Sequence, residues 1–183
     1  MARMMEIYAY KFDELPEATQ TKIIDNWRTN DTFFWADEWR DSLNAFADHA
    51  PLRIRDWSVG YPGTFLHYEV DDDAYGGDGI GQMEGVRAWK WLMNNGWGAL
   101  ANPGQGKSCP FTGYCGDESL LDPIREALAN PAGIWGLRDL FRQCFDRWAK
   151  DFEADMDHWY SAECIRDEIE ANGYEFYDDG VIV

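Results

Sequence analysis

The residues best suited to chemistry lie together in one short segment, Cys109–Glu118, which reads CPFTGYCGDE. Thiolates and imidazoles bind zinc, but a structural zinc site needs about four such ligands, and its cysteines usually come in pairs about two to four residues apart. Cys109 and Cys115 are six positions apart, and none of the three histidines has zinc-finger spacing. We therefore expect no metal ion at this segment.

Cys115 is also a candidate nucleophile, since a thiolate forms covalent intermediates when a base or a positive neighbour activates it. Asp117 and Glu118 follow it closely and would instead disfavour the thiolate. The interpretation that we favour is structural: the aromatic residues of the segment pack on the core, and Asp117 or Ser119 caps the helix that follows. A thiol or metal enzyme is the least favoured functional hypothesis.

The acidic, glycine-rich loop Asp71–Gly81 (DDDAYGGDGIG) invites comparison with a calcium-binding loop. Counted from Asp71, two aspartates and a glycine fall where an EF-hand needs them, but Gln82 takes the twelfth position, where a bidentate glutamate belongs. We expect this loop to meet a partner through its acids or to stay solvated, and whether it binds a cation is left open.

A second glycine-rich stretch, Gly104–Ser108, reads GQGKS and is similar to the end of a phosphate-binding P-loop. That pattern needs a glycine where this chain has Ala101, and Pro110 follows where the helix of a P-loop should begin. We expect neither a nucleotide nor another cofactor.

Net charge is the strongest functional signal in the sequence. The chain carries 34 acids and 16 bases over 183 residues, a formal charge of −18, whereas a magnitude of about 2–8 is usual for a small domain. Such a field repels nucleic acid and anionic membranes and attracts basic surfaces. Residues 146–183 hold twelve of the acids and three of the bases, a net −9. We therefore expect a basic protein as partner, with no direct contact to nucleic acid or membrane.

The acids of this C-terminal part lie on predicted helices, so a rigid scaffold would hold their carboxylates in rows. Three interpretations stay open: the rows mimic the phosphates of a nucleic acid, they dock a basic partner in an ordinary interface, or they keep the protein in solution. The residues that we expect to bind a partner are Asp151, Glu153, Asp155, Asp157, Glu163, Asp167 and Glu170, together with Asp71, Asp72 and Asp73.

The element that positions most of these acids is a long helix predicted over Gly133–Tyr160. Apolar residues recur there every three or four positions, which is the period of a helix and not of a strand. At 1.5 Å per residue it would be roughly 40 Å long. The segment Asp157–Asn172 continues or bends this helix near Ser161, and Gly173 ends it.

Short segments with alternating, aromatic or branched residues predict a small antiparallel sheet beside the helices. We therefore expect an α+β fold, a helix-dominant single acidic domain over residues 1–183. The predicted strands are Met5–Phe12, Leu52–Val59, Thr64–Val70 and two short strands around the turn at Asp179 and Gly180.

The sequence also points to the cytoplasm. No apolar run approaches the roughly 18 residues that a membrane span needs, and the opening MARMMEIYAYKF lacks the apolar centre of a signal peptide. The four cysteines show no regular framework, so we expect reduced thiols.

Three blocks of the sequence carry a resemblance to a known family. They are YKFDEL at Tyr10–Leu15, the segment CPFTGYCGDE followed by LLDPI, and IEANGYEFYDDG at Ile169–Gly180. Together they resemble a family of small proteins encoded by bacteriophages and prophages, some members of which carry an antitoxin label. The resemblance implies an accessory phage protein acting in the host cell, and it implies no catalytic residues.

Charge and resemblance together give the functional hypothesis. We expect a phage-encoded acidic binding protein that inhibits a nucleic-acid-handling defence complex of the host, of the anti-CRISPR or anti-restriction type, with nucleic-acid mimicry as one mechanism. The alternative is an antitoxin or a regulatory partner of another phage-encoded protein. An enzyme that uses Cys115 comes third.

Overall fold

The structure is a computed structural model, and it describes residues 8–30, 33–50, 79–102, 104 and 109–183. Within these residues the protein is helical and contains no strand. The α-helices are α1 Glu17–Asn30, α2 Ala36–His49, α3 Gly85–Asn94, α4 Trp97–Ala101, α5 Gly116–Ala129, α6 Leu137–Trp159 and α7 Ala162–Asn172. Short 3-10 turns lie at Phe12–Glu14, Ile80–Gln82 and Pro131–Gly133.

The α+β prediction is wrong, because the described residues form no sheet. Among the described residues, the first predicted strand meets the C-terminal segment through one antiparallel bridge, Tyr10 with Phe176, and the two C-terminal strands meet through another, Phe176 with Ile182. Residues 5–7 of the first predicted strand lie outside the described residues. The backbone of Tyr10 and Phe176 exchanges two hydrogen bonds of 2.9 Å. The pairing stops there because the chain turns into the Phe12–Glu14 helix on one side and into the Tyr177–Gly180 turn on the other. The predicted strands Leu52–Val59 and Thr64–Val70 lie outside the described residues.

The contacts divide the chain into two compact units, and each is described by itself. The first unit comprises Met1–Phe33 and Asp155–Val183, and the second comprises Phe34–Ala154. The sequence predicted one domain over all 183 residues. That domain assignment stays a prediction.

The second unit is organised around the buried face of α6. The apolar positions expected to point inward are buried, including Phe141, Phe145 and Trp148, each with no exposed surface. From α2, Phe46 meets the rings of Phe141 and Phe145 at centroid distances of 6.1 and 5.7 Å. The helix begins at Leu137, four residues later than predicted, because Pro131–Gly133 form a separate 3-10 turn. Large aromatic residues thus make up much of this core.

The first unit has a smaller core between α1 and α7. Its buried members are Phe12, Leu15, Ile23, Ile24, Ile165, Ile169 and Phe176. The ring of Trp27 on α1 lies 5.5 Å from the ring of Tyr174, which follows α7. This packing fixes which face of α7 is turned inward, and therefore which face is turned to solvent. None of the described helices combines the length and the apolar character that crossing a membrane requires.

Candidate functional site

The cysteine segment is built around Asp117, which is fully buried. Its carboxylate accepts hydrogen bonds of 2.8 Å from the backbone N–H groups of Phe111 and Thr112, and one of 3.0 Å from the Thr112 hydroxyl. The expectation that Asp117 or Ser119 caps the following helix is wrong, because α5 begins at Gly116 and both residues lie inside it; the Asp117 carboxylate bonds the preceding loop. Among the described residues, no group of three or more His, Cys, Asp or Glu side chains is placed to hold a metal ion.

The predicted acidic site is divided between the two units. Asp151 and Glu153 belong to the second unit, and Asp155, Asp157, Glu163, Asp167 and Glu170 belong to the first. The loop acids Asp71, Asp72 and Asp73 lie outside the described residues. The structure therefore brings five of the ten predicted residues into one compact unit, and that unit is the candidate site.

Asp151 is the predicted residue whose charge is most clearly compensated. Its Oδ2 lies 2.8 Å from Nε of Arg147, one helical turn earlier on α6. The hydrogen bond and the negative charge of Asp151 raise the pKa of the Arg147 guanidinium above its ordinary value. An i,i+4 ion pair of this kind already satisfies the carboxylate, so Asp151 is the weakest of the candidate partner-binding residues.

The acidic stripe is the set Glu163, Asp167 and Glu170 on α7. These residues are spaced i, i+4 and i+7, so they follow one another along a single helix face, with neighbouring positions about 5–6 Å apart. All three are exposed, and none forms an ion pair with another described residue. On the inner face, Ile165 and Ile169 are buried in the core.

Both ends of α7 are fixed by their own capping contacts. At its start, Ser161 Oγ accepts a 3.1 Å hydrogen bond from the Cys164 N–H, the usual role of an N-cap serine. At its end, Gly173 adopts φ +65°, and its N–H bonds the Glu170 carbonyl at 3.1 Å. A left-handed residue at this position closes a helix, and glycine takes it without strain. The stripe therefore stands on a rigid, well-terminated helix.

Three described bases of the first unit bond its own backbone or lie over an aromatic ring, and these three form no ion pair with the stripe. Lys22 donates from Nζ to the Asp179 carbonyl at 2.8 Å, and Arg28 donates from Nε to the Tyr160 carbonyl at 2.9 Å. Arg166, the one base between Asp155 and Val183, lies over the ring of Phe12 at 5.8 Å. By sequence the first unit has fifteen acids and five bases, so it carries −10 of the total −18.

The thiol of Cys164 lies beside the acidic stripe, and its pKa responds to the negative charge there. Partial burial raises the pKa of this thiol above its ordinary value, and the charges of Glu168, Asp167 and Glu163 raise it further. Because these carboxylates disfavour the thiolate, Cys164 is a poor candidate for a reactive cysteine.

We expect iodoacetamide to alkylate Cys164 slowly near neutral pH, since the raised pKa reduces the thiolate fraction. Added salt should speed the reaction by screening the carboxylates, and Glu168→Gln should do so as well. Peptide mass spectrometry would follow Cys164 alone, with Glu126→Gln as the control that leaves its rate unchanged. A rate equal to that of an unstructured cysteine peptide, unaffected by salt, would contradict the placement of these charges.

No protein-family model matches this chain, and the comparisons with curated proteins and with solved structures found no match. The resemblance to bacteriophage proteins thus stays a prediction that rests on three sequence blocks.

Sequence reasoning missed one feature of the first unit, a cleft of about 330 Å³ beside the C-terminal end of α7. Three acids line it, Glu170 together with Asp13 and Glu175, and Lys11 is the one base in the lining. Asp13 and Glu175 are far apart in the sequence, and neither was among the residues predicted to bind a partner. A signal was available, because the last turn of α7 contains no basic residue.

Proposed function

We propose that this protein is an acidic binding protein, encoded by a phage, that inhibits a basic, nucleic-acid-handling defence protein of the bacterial host. The observation that carries the proposal is the acidic stripe, three exposed carboxylates in line on one rigid helix without an ion-pair partner among the described residues. Lys22, Arg28 and Arg166 of the same unit bond backbone carbonyls or lie over an aromatic ring instead.

Charge supplies both the attraction and the selectivity of such an inhibitor. A field of this strength speeds the encounter with a basic surface and disfavours acidic competitors. A protein that binds DNA or RNA presents Lys and Arg side chains to phosphates, and carboxylates in a row can occupy the same side chains. The proposed mechanism is therefore competition for phosphate-binding residues of the target.

The test is whether the chain protects phages in bacteria that carry an active CRISPR or restriction system. We expect its expression to raise plaque numbers on such hosts. Reversing the stripe with Glu163→Lys, Asp167→Lys and Glu170→Lys should abolish this effect. Exposed ion pairs each contribute less than about 1 kcal/mol, so any one of the three reversals should do much less.

A matched control reverses three exposed acids of the second unit, Asp48, Glu126 and Asp146, to lysine. Both triple variants change the net charge from −18 to −12. An effect of net charge on solubility alone would therefore appear in both. Protection that survives the stripe reversal as well as the control reversal would rule out the stripe as the binding surface. Relief of a toxin encoded beside this chain, without any change in plaque numbers, would support the antitoxin alternative.

Competition with nucleic acid decides the mechanism once a target is in hand. A mimic must displace DNA or RNA from the target, and the displacement must weaken steeply with salt, because the field is screened within about 8 Å at physiological ionic strength. If the target holds nucleic acid and this protein together with unchanged affinities, the stripe is a docking surface and not a phosphate mimic.

A further inference from the structure

The C-terminal end of α7 has an electrostatic deficit that its own last turn does not correct. The end of a helix carries a partial negative charge and is stabilised by a nearby cation. The last turn of α7 contains no basic residue, and Glu170 lies there instead. Backbone bonds from Gly173 and Tyr174 close the helix without adding any charge.

The cleft described above opens at this helix end. Its acids converge from two segments: Glu170 and Glu175 from the end of α7 and the residues after it, and Asp13 from the turn Phe12–Glu14. Lys11 offsets only one of these three charges. The helix end and the acids thus place negative potential on the same small concave surface.

Apolar and aromatic residues form part of the cleft wall beside the charged ones. Phe12 and Ile169 are buried members of the core, and Tyr174 is half-buried, its ring tilted against that of Trp27. The ring of Phe12 already accommodates one guanidinium of this chain, that of Arg166, 5.8 Å from its centroid. Arg166 does not line the cleft. An aromatic face beside carboxylates is the surroundings that a guanidinium prefers.

We infer that this cleft receives one arginine side chain of the basic partner, an inference that rests on the proposed function. About 330 Å³ is at the lower end of the size of ligand pockets, which suits a single side chain better than a folded segment. Arginine fits better than lysine, because its planar group stacks on a ring and its five N–H donors serve carboxylates on two sides. Buried arginines are frequent anchors of protein interfaces.

The probe is N-acetyl-arginine amide, titrated into the isotope-labelled full chain and followed by amide NMR shifts. We expect the largest shifts at Asp13, Gly173 and Tyr174. The double variant Glu170→Gln, Glu175→Gln should weaken binding by about three- to tenfold, as expected for two partly exposed charge pairs. The matched control, Asp48→Asn with Glu126→Gln, makes the same charge change at exposed acids of the second unit and should leave the affinity within about twofold.

Two further amides test the chemistry. The citrulline derivative has the same shape without the charge and should cause no shifts in the cleft, and the lysine derivative should bind more weakly than the arginine derivative. Equal binding of lysine, or shifts by citrulline at the same residues, would overturn the assignment to a guanidinium. Shifts spread over all exposed acids, with equal losses in both double variants, would overturn the cleft as a site.

The inference and the proposed function can fail separately. If the stripe reversal abolishes protection of phages while the cleft variant protects as well as the native chain, the cleft inference is wrong and the proposed function stands. If the native chain itself does not raise plaque numbers, the proposed function is wrong, whatever the amides show at the cleft.

Discussion

Trp148→Ala should lower the free energy of unfolding by about 3–5 kcal/mol, the usual range for truncating a large core residue. The indole of Trp148 has no exposed surface, and its Nε1 donates a 3.1 Å hydrogen bond to the Trp39 carbonyl. Its ring also lies 5.9 Å from that of Trp39 and 5.3 Å from that of Phe152. The substitution therefore removes a hydrogen bond and leaves a large cavity in the core of the second unit.

The matched control for this prediction is Trp135→Ala, since Trp135 precedes the same helix and is 80% exposed. Urea unfolding followed by circular dichroism should show a change within about 0.5 kcal/mol for this variant. A loss below about 1 kcal/mol for Trp148→Ala, or equal losses for both variants, would mean that the apolar face of α6 is not the core.

Asp117→Ala should cost about 3 kcal/mol or more, because hydrogen bonds to a charged group contribute about 1.5–3 kcal/mol each and partly buried donors lose their acceptor. The carboxylate accepts from three backbone N–H groups, the third at 3.4 Å, and from one hydroxyl of the preceding loop. The Thr112 hydroxyl also lies 2.9 Å from the hydroxyl of Ser42 on α2, so the loop is attached to α2 through this group.

Amide hydrogen exchange would show which part of the protein loses stability in this variant. The amides of Phe111 and Thr112 should lose their protection in Asp117→Ala, and Asp117→Asn, which keeps one acceptor oxygen, should lose less. Asp178→Ala removes an exposed carboxylate and serves as the control. Protected loop amides in Asp117→Ala, with a stability change below about 1 kcal/mol, would contradict the role of this carboxylate.

The long helix was predictable because its evidence is local. A period of three and four residues needs no knowledge of the rest of the chain, and it identified the buried face of α6. The start of the helix was not predictable in this way. The N–H of Leu137 bonds the Met83 carbonyl, more than fifty residues away, and a side chain at Gly136 would meet the Gly81 carbonyl at 3.3 Å.

The prediction of a sheet was wrong for a related reason, since strand pairing also depends on residues that are distant in the sequence. Alternating aromatic residues near both ends of the chain favour an extended backbone. They do not determine how many residues of another segment lie alongside and can pair with it. Among the described residues, the pairing between these two segments is one residue long, because turns flank Tyr10 and Phe176. Pairing length is a property of the fold and not of either segment.

The sequence shows every acid of the candidate site, but it shows only in part which of these acids have a basic partner. The pairing of Asp151 with Arg147 follows from i,i+4 spacing and could have been inferred. By contrast, Arg28 bonds a carbonyl 132 positions away, and Lys22 bonds one 157 positions away. Which charges stay uncompensated therefore depends on long-range contacts that composition does not contain.

The discontinuous build of the first unit has a consequence for synthesis on the ribosome. Met1–Phe33 emerge first, but the segment that completes their core, Asp155–Val183, emerges only after the 121 residues of Phe34–Ala154. At about 5–20 residues per second, this delay lasts roughly 6–24 s. Throughout that interval Ile23 and Ile24 have no partner from α7, so the nascent N-terminal segment is open to chaperones and proteases. The carboxylates of α7 become correctly oriented only once Asp155–Val183 have been made, so translation products that stop before α7 would lack this surface.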